Sequence, residues 1–86
     1  MKDIKLLDTV AIINSVSFER LTLVEPDYTI VKSLPSGQVG TVVEVYKQGD
    51  QCQYLVEFSD NHGREYAMAI LSEDEILVLH DELQVV

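Results

Sequence analysis

Apolar and polar residues alternate at two places in the second half of the chain. Tyr54, Val56 and Phe58 recur at period two, and so do Tyr66, Met68 and Ile70. Period two is the signature of a strand with one face against a core, so both stretches are expected to be strands with those six residues turned inward. Between them, Ser59-Asp60-Asn61-His62-Gly63 has hairpin-turn composition. Upstream, Gly37 and Gly40 open into the β-branched run Thr41-Val42-Val43-Glu44-Val45-Tyr46, and glycines there predict a tight, kinked corner of a small barrel. Lys47 to Gln51 supplies the next hairpin loop, and Leu7 to Ile13 reads as a first, mostly buried strand. Ser72-Glu73-Asp74-Glu75 predicts one helical turn in which Ser72 and Glu75 form a capping box, and Ile76 to Leu79 makes a last strand.

These elements predict an all-β fold: an SH3-like, five-stranded small barrel with a short helical turn before the last strand. Residues 1–86 form a single domain, with a long excursion at about 15–36 whose apolar content predicts packing against the barrel. The alternative is an up-and-down meander whose edge pairs with another copy, because Asp81 to Val86 could add a strand.

Charge narrows the partners. Fifteen acidic against six basic residues give a net charge of −9, and no Lys or Arg follows Arg64. Phosphate backbones and anionic membranes attract clustered cations, so neither nucleic acid nor membrane is expected as a partner. A basic protein is the complementary choice. Glu73, Asp74, Glu75, Asp81 and Glu82 are the candidate rim charges, with Tyr28 and Tyr46 as candidate aromatic anchors. Cys52 is the single cysteine and no apolar run approaches the ~18 residues of a membrane span, which together point to a cytoplasmic protein.

Candidate chemistry is thin. Asp60, Asn61 and His62 fall together, but a metal site needs three or four converging ligands, and Asp and Asn are ordinary turn residues. His80 reads as part of a solvated end. Cys52 has only Lys47 nearby to support a thiolate. Glu44 and Glu57 could face one another as an acid–base pair, although outward glutamates are normal on a half-buried sheet. The expectation is therefore a protein that is not an enzyme and has no cofactor or metal.

The segments Leu6 to Ala11, Gly37 to Glu44, Tyr54 to Phe58, Gly63 to Ala67 and Ile76 to Leu79 together resemble a family of short bacterial proteins, common in cyanobacteria, catalogued as a domain of unknown function. That family has no established catalytic residues to carry over, and the resemblance implies an antitoxin- or immunity-like interaction role. The glycine-corner strand is also similar to the KOW motif of ribosomal and transcription proteins, implying a nucleic-acid-binding alternative. Its similarity to barrels of electron-transport accessory proteins implies another, an accessory subunit of a redox or hydratase complex.

Overall fold

Residues 4–24, 33–60 and 62–79 are described by the structure, a computed structural model. The ladder that organises them is a long hairpin. β5 (Val39–Gln48) turns at Gly49, whose φ is +61°, into β6 (Gln51–Ser59), which is followed by β7 (Glu65–Ser72). β1 (Thr9–Ile12) pairs with β5 on one side and β8 (Ile76–Val78) on the other. The excursion is ordered where it is described. It carries β2 (Val16–Ser17), a 3-10 turn (Phe18–Arg20), β3 (Leu21–Leu23) and β4 (Ser33–Leu34).

The expected five strands are all present as β1, β5, β6, β7 and β8, with a 3-10 turn (Glu73–Glu75) before the last. The expected closed barrel is not what forms. Six strands make an open antiparallel sheet in the order β3-β7-β6-β5-β1-β8, with β2 and β4 as a separate pair. The excursion supplies the reason: β3 adds to the far side of β7, Leu21 opposite Ala69 and Leu23 opposite Ala67.

One face of this sheet is the core. Val10, Ile12, Val42, Tyr54, Val56, Phe58, Ala69, Leu71 and Ile76 are buried there, joined by Ile4, Val16 and Leu34 from outside the six-stranded sheet. Fully burying a side chain such as Phe58 or Leu71 contributes on the order of 2 kcal/mol. Tyr54, Val56 and Phe58 point inward as the alternation predicts. On β7 the phase is reversed: Ala67, Ala69 and Leu71 are inward, while Tyr66 and Met68 are half-buried and Ile70 is exposed. Directly opposed residues of an antiparallel pair share a face, and Phe58, Val56 and Tyr54 oppose Ala67, Ala69 and Leu71. Small alanines thus sit opposite the larger Phe58 and Val56. A register shift after Phe58 leaves Tyr66 as the extra residue that resets the phase.

The two glycines of the corner do different jobs. Gly37 has φ +89° in the turn before β5, and its N–H donates to the Ile12 carbonyl at 2.7 Å. Gly40 lies flat in the ladder between Val10 and Phe58, where a Cβ would stand 2.7 Å from the Glu57 carbonyl oxygen and 2.9 Å from Phe58 Cδ1. Ahead of β1, the expected strand start is instead a turn over residues 5–8. The Asp8 carboxylate accepts from the Lys5 N–H at 2.8 Å, and Leu7 takes a left-handed φ of +71°.

Candidate functional site

The face of the sheet turned away from the core is laid out in rows across the strands. One row runs Thr22, Met68, Glu57, Thr41, Thr9 over β3, β7, β6, β5 and β1. Beside it, Glu44, Leu55 and Ile70 form a second row, and Tyr46, Gln53 and Ser72 a third. Glu44 and Tyr46 reach this face because a bulge between Val42 and Glu44 inserts one residue and flips the alternation of β5, sending Val45 inward. At the other end, Val39, Ala11 and Leu77 line up across β5, β1 and β8.

Leu55, Met68 and Ile70 floor a shallow groove of about 420 Å³, bounded by Arg20, Thr22 and Gln53. Ile70 is 47% exposed. Arg20 forms one wall: its Nη2 donates to the Ile70 carbonyl at 3.1 Å, and its guanidinium grips the Glu75 carboxylate with two hydrogen bonds. Glu75 also accepts from the Ser72 N–H at 3.0 Å and the Ser72 hydroxyl at 3.2 Å, so the capping box expected from the sequence is present. Hydrogen bonding from Arg20, against the opposing effect of burial, holds the Glu75 carboxyl at about 2 and raises Arg20 above its usual value.

Glu57 behaves in the opposite way. Burial is the largest influence raising its carboxyl above the usual range, followed by a hydrogen bond with the Glu65 carboxyl and the charge of Glu65. On the outer face Glu65 lies opposite Ser59 and Glu44 opposite Leu55, each two residues along β6 from Glu57, and Glu65 is the one whose charge raises the Glu57 carboxyl.

The sequence candidates divide by position. Tyr28, Asp81, Glu82 and His80 lie outside the described residues. Tyr46 is exposed on the outer face. Glu73 and Asp74 line a second hollow of about 230 Å³ with Asp50, Gln51, Cys52, Gln53 and Ser72. Glu75 is drawn away from a free rim by Arg20. Cys52 is a free, half-buried thiol opposite Lys47. Asp60 acts as a turn residue, accepting from the backbone N–H groups of His62 at 2.9 Å and Arg64 at 3.0 Å, and those bonds lower its carboxyl. Sequence reasoning missed Arg20 and Glu65. Arg20 sits in the excursion, 55 residues from its partner, and no local pattern signals the pairing.

Among the described residues no group of three or more His, Cys, Asp or Glu converges as metal ligands, and no helix is long and apolar enough to cross a membrane. Fold and surface define a small antiparallel β protein with a shallow groove, apolar in its floor and polar at its walls, on a carboxylate-bearing outer face. The chain belongs to the family described as a domain of unknown function, DUF4926, which it matches over residues 6–78. No curated protein and no solved structure matches the chain.

Proposed function

We propose that this protein is a non-enzymatic interaction module that docks a basic protein through the outer face of its sheet. The observation that carries this reading is the groove over Leu55, Met68 and Ile70, with carboxylates of Glu44, Glu57 and Glu65 close to it on the same face. An apolar floor supplies binding energy, and surrounding charge selects the partner and speeds encounter. Glu73 and Asp74 extend the negative field, and Tyr46 offers an exposed ring on the same face. An antitoxin- or immunity-like role is the specific form of this reading that we favour.

We further propose that the strand arrangement is that of an SH3-like small barrel, left unclosed where the enlarged first excursion adds β3. Its support is the order β7-β6-β5-β1-β8 together with the 3-10 turn joining β7 to β8 across the sheet.

The test is affinity capture from the source cell at low and high salt, then reconstitution with the purified partner. A partner of basic composition whose binding weakens as salt rises is expected. Recovery of no specific partner at either salt overturns the proposal.

A further inference from the structure

We propose that Glu57 and Glu65, with Met68 beside them, are the receptor for a lysine or arginine side chain on an extended segment of the docked partner. This deepens the docking reading and rests on it.

Glu57 stands mid-row on the outer face, half-buried, with Thr41 opposite it on β5 and Met68 opposite it on β7. The charged groups around it are few. From β7 comes Glu65; from β5, the next outward residue along is Glu44; from β3, the row ends in uncharged Thr22. Arg64, in the turn between β6 and β7, is bound to Asp60 at 3.3 Å, and Arg20 is bound to Glu75. Glu65 lies opposite Ser59, two residues along β6 from Glu57 on the same outer face, and the ion pairs of Arg20 and Arg64 are made to other carboxylates. Two neighbouring carboxylates on one face repel when both are ionised. A partner's ammonium or guanidinium set between them offsets that repulsion and satisfies both carboxylates at once, with its attraction strengthened by partial burial.

Met68 continues from this pair into the groove toward Ile70 and Leu55, so residues flanking the cation in an extended chain meet an apolar floor. A second copy of this protein is the wrong occupant on charge, since at −9 it brings further carboxylates to the same face.

The probe is a synthetic peptide, acetyl-Val-Lys-Val-Arg-Val-amide, titrated at low salt into the full chain with carbon-13 label, against a control in which Lys and Arg are replaced by Glu. The basic peptide is expected to shift the Glu57 and Glu65 carboxyl signals and the Met68 methyl signal saturably. It is also expected to lower the pH at which Glu57 titrates. The double variant Glu57→Gln/Glu65→Gln, checked for an unchanged fold by its amide spectrum, binds about tenfold more weakly. If the double variant binds as well as the parent and the shifts fall on Glu73 and Asp74, the receptor assignment is overturned while docking of a basic partner stands. If the basic peptide binds no better than the acidic control, both readings fall.

Discussion

Arg20 and Glu75 meet in a two-pronged ion pair, Nη1 to Oε2 at 2.5 Å and Nη2 to Oε1 at 2.9 Å, joining residues 55 apart in sequence. Arg20 immediately precedes β3, one edge of the six-stranded sheet, and Glu75 immediately precedes β8, the other edge. The pair thus ties together, by side chains, two strands that no ladder connects.

Acid should release that tie. The Glu75 carboxyl is depressed from 4.5 to about 2, so its contribution to stability is fully present above pH 4.5 and is lost as the pH falls toward 2. Both partners are partly exposed, so Glu75→Gln is expected to cost only about 1 kcal/mol at pH 7. Urea unfolding at pH 7 and at pH 2 checks this, the difference between parent and variant shrinking at the lower pH.

Glu57 has the opposite sign. A carboxyl raised in the folded state favours folding when protonated, and that advantage is lost as the pH rises through its folded value. Glu57→Gln is therefore expected to be more stable than the parent at pH 7, with the gap closing at pH 3. Thermal melts at the two pH values measure it.

Gly40→Ala should be severe and Gly37→Ala milder. A Cβ at Gly40 would lie 2.7 Å from both the Glu57 carbonyl oxygen and Val56 Cγ1, so a packed ladder must move, at a cost of about 2–3 kcal/mol. A Cβ at Gly37 would meet nothing within 4 Å beyond its chain neighbours, so only the φ of +89° is unfavourable, worth about 1 kcal/mol. Midpoints in denaturant separate the two mechanisms, and Gly37→Asn should recover part of the loss because Asn tolerates that φ.

Leu7 is 71% exposed and holds a left-handed φ of +71° that a branched aliphatic side chain disfavours. Leu7→Asn, which keeps the turn and relaxes the backbone, should raise stability by about 0.5–1 kcal/mol. A fall in melting temperature would refute the strain.

The phase of β7 can be tested by a pair of substitutions. Ala67→Leu forces three carbons into the space opposite Phe58 and should cost about 1–3 kcal/mol, whereas Ile70→Ser on the outer face should stay within about 0.5 kcal/mol. The reverse order would place Tyr66, Met68 and Ile70 in the core.

Much of this architecture was legible in the order of residues along the chain. Period two marked β6 and its inward Tyr54, Val56 and Phe58; the spacing of Gly37 and Gly40 marked the corner; Ser72 and Glu75 marked the capped turn. These are local signals, carried by residues a few positions apart, and they act whatever the rest of the chain does. The inward face of β7 was different. Both of its faces carry apolar residues, so alternation favoured the larger set, Tyr66, Met68 and Ile70, and the register against β6 chose Ala67, Ala69 and Leu71 instead. Register likewise brought Glu65 and Met68 beside Glu57, and the pairing of β3 with β7 brought Arg20 to Ile70 and to Glu75 in the turn that follows β7. Contacts of that kind depend on how far a strand slides before it locks, a quantity set by the fit of Ala67 and Ala69 beneath Phe58 and Val56 and by the bulges at Val43 and Tyr66, so the outer face that we propose as the docking surface took shape only with tertiary pairing.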